Sequence, residues 1–454
     1  ELMPKRVDLL QGSLAGPLTR LALPIMATSL IQMAYNMVDM IWIGRVGAGA
    51  VASVGAAGMF MWLSGGLVVL ARMGGQVRMA QHLGAGRQKE AVCYAQNSLQ
   101  LGILLSVLFT LLLVLGTSPL IAFFRLNDPT VVKDAEIYLQ IVGAGMFFSF
   151  VNQILATLIT TSGNSRTPLY ATATGLGINL VLDPVLIFGP GPLPVLGVAG
   201  AALATVLAQA IVTVVLWIYV RQDTHLFQQM KLLSPPQWPV IRDILRLSLP
   251  SALQSVLFPL ISMVIARLIA GWGDNAVAVQ KVGSQIESIS WMTADGFSVA
   301  VNSFVAQNFG AGNLQRARKG YWISAAIVAV WGVFCTLLLV LGAAPIFRFF
   351  IPDEAVLPMG VSYLQILGFS ELFMCIEIIT AGAYAGFGRT LPPSLVSILF
   401  TAARIPLAMA LSATSLGLDG IWWSISFSSM AKGLLLFSMF CFFLSRIARQ
   451  KKIG

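Results

Sequence analysis

Gln32, Tyr35, Asn36 and Asp39 recur at i, i+3, i+4 and i+7 inside an otherwise apolar stretch, so a helix presents all four on one face. A second acid, Asp183, follows Asn179 by four residues, which again stacks two polar side chains on one helix surface. Thr205 and Asn152 add further oxygen atoms from two other apolar stretches. Carboxylates in the company of amide and hydroxyl oxygens can hold a proton or a hard cation such as sodium. Like charges brought together repel, and a proton bound between them relieves that repulsion. Paired acids can equally form the dyad of an aspartyl protease. Intramembrane enzymes of that kind place the second acid in Gly-x-Gly-Asp, and Leu180-Val181-Leu182-Asp183-Pro184 does not fit that pattern.

Other enzyme signals are thin. His82 and His225 fall at helix ends, and no G-x-x-x-x-G-K-[ST] phosphate loop occurs. The second half of the chain has acids of its own, Glu287, Asp295, Glu371 and Glu377. Arg267, Lys281 and Arg404 are near enough in sequence to pair with some of them, so internal pairing competes with a second cation or substrate site. Cys93, Cys335, Cys375 and Cys441 are scattered through apolar runs without paired spacing and read as small buried hydrophobes.

The elements that must position these groups are membrane helices. Only 10% of the 454 residues are charged and 57% are hydrophobic, whereas a soluble domain carries roughly 25% charged residues. Apolar runs of about 20 residues, long enough to cross a bilayer as helix, recur throughout. They do not alternate with period two, which excludes a transmembrane barrel. Predicted spans lie near 17–44, 50–80, 92–116, 134–162, 167–188 and 198–220, then near 242–270, 276–307, 318–342, 357–386, 392–414 and 419–446. Lys and Arg gather in every second connection, from Lys5 and Arg6 through Arg87 and Lys89 to Arg316, Arg318 and Lys319 and on to Lys451 and Lys452. That alternation accounts for the net charge of +10 without any nucleic-acid partner, and it predicts cytoplasmic termini. The first residues lack the charged-then-apolar pattern of a cleaved signal.

The two sets of spans repeat one another. Leu21-Ala22-Leu23-Pro24 returns as Leu247-Ser248-Leu249-Pro250, and Gly84-Ala85-Gly86 as Gly310-Ala311-Gly312. Leu111 to Gly116 is identical to Leu337 to Gly342, and Tyr138-Leu139-Gln140-Ile141 recurs from Tyr363 to Ile366. The expected architecture is all-α, with twelve transmembrane helices in two six-helix lobes around a central cavity, the arrangement of a transporter. An amino-terminal lobe over 1–220 and a carboxy-terminal lobe over 242–454 flank a cytoplasmic linker over 221–241. Asp39 aligns with Ile265 and Asp183 falls on or beside Pro406, so both acids are additions that the repeat itself does not need. Asp39 lies 19 residues after Arg20 and Asp183 lies 17 after Arg166, which places both roughly 25–28 Å along their helices. An ionised carboxylate at such depth costs about 3 kcal/mol or more. Pro24 frees the carbonyl of Arg20 below Asp39, and Pro184 interrupts the fifth helix beside its acid; both are candidate hinges.

The run Leu21 to Gly47, Gln81-x-x-Gly84-Ala85-Gly86, Gly163-Asn164-Ser165-Arg166-Thr167-Pro168 and Asn179-x-x-x-Asp183-Pro184 resemble the multidrug and toxic compound extrusion (MATE) transporters, and within them the DNA-damage-inducible (DinF) branch. The resemblance implies a multidrug antiporter of the cell (inner) membrane. Its exports would be amphipathic, often cationic drugs or toxic compounds taken from the cytoplasm or the inner leaflet. It would need no cofactor beyond a coupling ion, the proton or else sodium, and no obligatory protein partner. Matched positions make Asp39, Asn179, Asp183 and Thr205 the cation-coupling cluster, with Gln32, Tyr35, Asn36, Tyr138 and Asn152 on the substrate cavity. The NorM branch carries an acid in the seventh helix where this chain has Phe258. A lipid-linked sugar flippase of a fold-related family is the alternative within transport, and no continuous cationic stripe lines the proposed cavity to support it.

Topology yields the first test. In a background without the four native cysteines, Ser234→Cys and a cysteine introduced within 189–196 should react with an impermeant thiol reagent from opposite sides of the membrane. Reaction of both from outside would reject cytoplasmic termini.

Overall fold

The described residues form sixteen α-helices and one short 3-10 turn over residues 227–229. A computed structural model describes residues 5–453, with side chains through 449, and they are helical without a strand. Lys451 and Lys452 of the charge pattern lie outside the described side chains. In order the helices are α1 (Ala15–Val46), α2 (Ala48–Gly84), α3 (Gln88–Leu115), α4 (Thr117–Ala122), α5 (Pro129–Ala144), α6 (Met146–Thr161), α7 (Arg166–Phe188) and α8 (Val198–Gln222). After the linker come α9 (Trp238–Ala270), α10 (Asp274–Gly310), α11 (Leu314–Leu341), α12 (Ala343–Phe350), α13 (Leu357–Gly368), α14 (Glu371–Gly386), α15 (Leu391–Ser412) and α16 (Leu418–Ile453).

A shift of 226 carries α2 onto α10 and α3 onto α11 end for end, and a shift of 225 carries α6 onto α14. Among the described residues nine helices are long and apolar enough to cross a bilayer alone, and two bent pairs make up to eleven spans. The fourth and tenth spans, expected as single helices, are instead the pairs α5–α6 and α13–α14, bent by 47° and 43°. Glycine stands at the first of these bends because a Cβ at Gly145 would lie 2.6 Å from the Val206 side chain. The eighth expected span, α10, is the repeat partner of α2 and falls outside those eleven. It is less apolar because it carries Lys281, Glu287 and Asp295. Local signals fix the ends of several helices. Asp128 accepts the Thr130 amide at 2.8 Å before Pro129 opens α5, and Asn313 accepts the Arg316 amide at 3.1 Å before α11. Caps of this kind contribute about 1 kcal/mol each.

By packing, the chain divides into one unit of 1–8 with 23–252 and a second of 9–22 with 253–454. These boundaries differ from those of the repeat, because α1 and α9 each start in one unit and finish in the other. The changes of unit fall beside Pro24 in α1 and Pro250 in α9. In the first unit the start of α9 is held firmly. Asp243 receives Nε and Nη2 of Arg78 at 2.9 and 3.3 Å and the Tyr94 hydroxyl at 2.7 Å. The Gly74 amide donates to Ser248 Oγ at 2.7 Å. The linker is tied to α3 by Gln100, whose amide donates to the carbonyls of Leu232 and Ser234. In the second unit the segment before α1 is held the same way. The Leu9 carbonyl accepts Asn308 Nδ2 at 3.0 Å, and Arg316 donates to the carbonyls of Leu9, Gln11, Gly12 and Ser13.

Gly74 marks the closest approach of α9 to α2, since a Cβ there would lie 2.4 Å from the Ile244 carbonyl oxygen. Gly74→Ala should therefore lower stability by about 1–3 kcal/mol, read as a lower Tm of the detergent-purified protein. Gly177→Ala, where an added Cβ meets nothing within 4 Å, should leave Tm unchanged. Equal melting of the two variants would contradict this account of the contact.

Candidate functional site

Three helices of the first unit build the site. α1 brings Tyr35 and Asp39, α7 brings Asn179 and Asp183, and α8 brings Thr205. Asn179 and Asp183 are fully buried, and Asn179 Nδ2 donates to Asp183 Oδ2 at 2.8 Å. The Tyr35 hydroxyl donates to Asn179 Oδ1 at 3.4 Å and adjoins Thr205. Asp39 is half-buried, and its carboxyl acts directly on that of Asp183. The helix geometry anticipated from the i, i+4 spacing is what turns Asn179 toward Asp183 and leaves the second carboxylate oxygen open.

Three oxygen atoms at this point are buried without a hydrogen-bond partner: Asp39 Oδ1, Asp183 Oδ1 and Thr205 Oγ1. A buried polar atom left unpaired costs about 1–3 kcal/mol, more where charge is involved. Oxygen atoms from three helices that lack partners at one place form an acceptor set for a proton or a small cation. Tyr138, buried on α5, lies within electrostatic reach of Tyr35, Asp39 and Asp183.

The remaining sequence candidates are distributed differently. Gln32 and Asn36 are exposed on α1, near Asp39 in sequence. Asn152 is buried on α6, but its amide is already engaged. Nδ2 donates to Gln209 Oε1 and to the Gln209 carbonyl at 2.8 and 2.9 Å, and Oδ1 accepts the Thr213 hydroxyl at 2.6 Å. Gln209 and Thr213 were not anticipated, although Thr205, Gln209 and Thr213 stand at i, i+4 and i+8 on α8. Pro24 lies inside a continuous α1, and the Thr28 hydroxyl donates to its carbonyl at 2.8 Å. Pro184 does not end α7, which continues to Phe188 and closes at left-handed Gly189.

In the second unit Glu377 pairs with Lys432, its Oε2 lying 3.6 Å from Nζ. Lys281 and Arg267, expected as possible partners for the acids, are exposed. The Arg404 guanidinium lies 5.8 Å from the centroid of the ring of Phe258, the seventh-helix residue singled out in the sequence.

The MatE family profile matches residues 24–185 and again 250–410, so each matched copy opens at the proline where a helix changes unit. A probable multidrug resistance protein NorM of Thermotoga maritima is 30% identical over 411 residues, covering 89% of this chain and 87% of its own. A solved MATE protein in a bent conformation superposes with a TM-score of 0.90 at 24% identity over 99% of each chain. The same score, 0.90 at 24% identity, is reached by a solved MATE protein in a straight conformation, over 98% of this chain and all of the other. These likenesses establish the shared fold. With the family profile covering both halves of the chain, the protein belongs to the MatE family of multi-pass membrane transporters.

Proposed function

We propose that this transporter exports amphipathic, often cationic drugs in exchange for cations, and that protons loading Asp39 and Asp183 drive the exchange. Support for a drug substrate comes from the relative in Thermotoga maritima, a probable multidrug resistance protein. One observation carries the coupling: Asp39 Oδ1, Asp183 Oδ1 and Thr205 Oγ1 are each buried without a hydrogen-bond partner, on helices that come together here. No Lys or Arg is among the groups acting on this pair. A proton neutralises the shared charge and bridges two of the open oxygens. Asp39 stands on α1, above Pro24, so a bridge to Asp183 on α7 pulls on a helix that the proline has already weakened. Substrate would bind the unloaded form, and proton entry from outside would favour its release. A coupling free energy of about 1–3 kcal/mol is enough to change affinity 5–150-fold. A transporter family also leaves no role for these two acids as a protease dyad.

Two measurements test the proposal. Asp39→Asn and Asp183→Asn should each abolish ethidium efflux while the protein reaches the membrane and keeps its Tm, because Ile265 occupies the repeat position of Asp39 without harm to the fold. Loss through misfolding alone would make the acids structural. In sodium-free proteoliposomes a pH gradient should drive ethidium out, and adding ethidium to the solubilised protein should release protons. Transport that stops when sodium is withheld, with the pH gradient intact, would transfer the site to sodium.

A further inference from the structure

The repeat contains a ruler for the bilayer. On α11 the exposed apolar side chains run from Trp322 through Ile327 and Val330 to Leu341. The two ends are 19 residues apart, about 28 Å of helix, which matches a hydrocarbon core of about 30 Å. A shift of 226 carries that stretch onto Gln96 to Leu115 of α3. In the half that ends at Leu115 the copies agree position for position. Each exposed apolar residue of α11 from Val330 onward has an exposed apolar counterpart on α3 from Leu104 onward. In the other half they part. Trp322, Ile323 and Ala326 of α11 become Gln96, Asn97 and Gln100 on α3, and exposed Ile327 becomes buried Leu101. A face that is apolar on α11 is polar on α3 at the same level.

The linker between α8 and α9 lies on that polar face. Gln96 Oε1 accepts the Lys231 amide at 2.9 Å, and Asn97 Oδ1 accepts the Gln237 amide at 2.9 Å. Gln100 Nε2 donates to the carbonyls of Leu232 and Ser234 at 2.9 and 2.7 Å. Irregular backbone at membrane depth is tolerated only where its polar groups are paired inside the protein, and these bonds pair them. The Ser234 amide closes a tight turn on the Lys231 carbonyl at 3.1 Å, with Leu232 and Leu233 at its corner. Turns that face water favour Gly, Pro, Asn, Asp or Ser there. Here Leu232 packs against the hydrophobic core of the first unit, and Leu233 is wholly exposed. Trp238, which opens α9, is exposed as well, and so are the bases Lys231, Arg242 and Arg246.

We propose that Lys231–Trp238 is a wedge set into one leaflet of the membrane, with Leu233 among the acyl chains just inside the hydrocarbon edge. Trp238 then stands at headgroup level, and the exposed bases meet the heads of anionic phospholipids. The depth follows from Gln100, four residues and about 6 Å beyond Gln96 at the edge. Amphipathic segments bury their apolar side about 5–10 Å into this boundary. Tryptophan is enriched at that level, and lysine reaches past it to water. Ser234 ends the turn, and exposed Pro235 and Pro236 carry the chain back to the aqueous side. On the orientation that the Lys and Arg distribution predicts, the leaflet is the cytoplasmic one. The wedge stands in either orientation, and whether or not Asp39 and Asp183 couple transport.

The test uses the full chain, free of native cysteines, in vesicles of phosphatidylethanolamine and phosphatidylglycerol. A bimane on Leu233→Cys should be quenched by lipids that carry a nitroxide near the headgroup end of the acyl chain, and shielded from aqueous iodide. The same probe on Gln228→Cys, exposed in the linker ahead of the turn, should show the opposite. Because a label can disturb the turn, the unlabelled thiols give a second reading. A charged, impermeant maleimide should react several-fold more slowly at Leu233→Cys than at Gln228→Cys. Equal quenching of both sites by iodide, with equal maleimide rates, overturns the proposal and leaves the linker in water. Protection of Leu233→Cys without quenching by the nitroxide lipids also overturns it, since a second copy or another part of the chain would then cover the turn.

Discussion

Hydrocarbon offers a charge no partner, so each acid in a membrane helix must find its own compensation inside the protein. The two units meet that requirement differently. In the second, Lys432 answers Glu377, and Arg404 is clasped by Ser428 and Ser429 within reach of Glu287. In the first, Asp39 and Asp183 have each other, Asn179 and a tyrosine shell, with no base among the groups acting on them. Under the proposed coupling, the compensating charge for such a pair comes from outside the chain and can leave again. A fixed ion pair makes a rigid post, whereas an acid pair awaiting a cation is a variable one.

The repeat sharpens this contrast, because it supplies a version of each position without the chemistry. α2 and α10 have the same length and the same bounds under one shift, yet only α10 carries Glu287 and Asp295. α6 and α14 are both sixteen residues long after a break, yet one opens with Met146 and the other with Glu371. The framework of helix lengths, glycine contacts and breaks is therefore common property. Charges are laid over it separately in each copy.

Much of this architecture was legible in the sequence. Spans of about 20 apolar residues, the shift of 226 and the i, i+4 relation of Asn179 to Asp183 follow from local periodicity, which a sequence records directly. What the sequence could not supply was rotation about a helix axis. Asn152 lies at a suitable depth to join the acid cluster, but the face of α6 it occupies delivers it to Gln209 and Thr213 instead. Lys432 was hidden for the same reason, since nothing in the apolar run of α16 signals that it meets Glu377 on α14. Which residue fits at the break of α5 and α6 depends on a distant segment, since Val206 leaves no room for a Cβ at Gly145. Nor does the repeat disclose that α1 and α9 change unit, because that depends on which neighbours clasp their first turns.

The changes of unit bear on how a small ligand could act on so large a molecule. In α1 and α9 only 17% of the apolar stretch is buried, against 28–44% in the other single-helix spans. Both are anchored at their starts, by Arg316 and Asn308 before α1 and by Asp243 and Ser248 in α9, and both have a proline where the anchorage changes. Loose packing beyond a firm anchor means that little contact energy opposes bending at the proline. Shifting a two-state helix from one part in ten to nine parts in ten takes about 2.6 kcal/mol. Satisfying two or three orphaned buried oxygens, at about 1–3 kcal/mol each, covers that range. α9 has the proline and the anchor but carries Ile265 where α1 carries Asp39. Of the two loosely held helices, only α1 combines the proline with the acid, and the proposed proton coupling at Asp39 and Asp183 rests on that asymmetry.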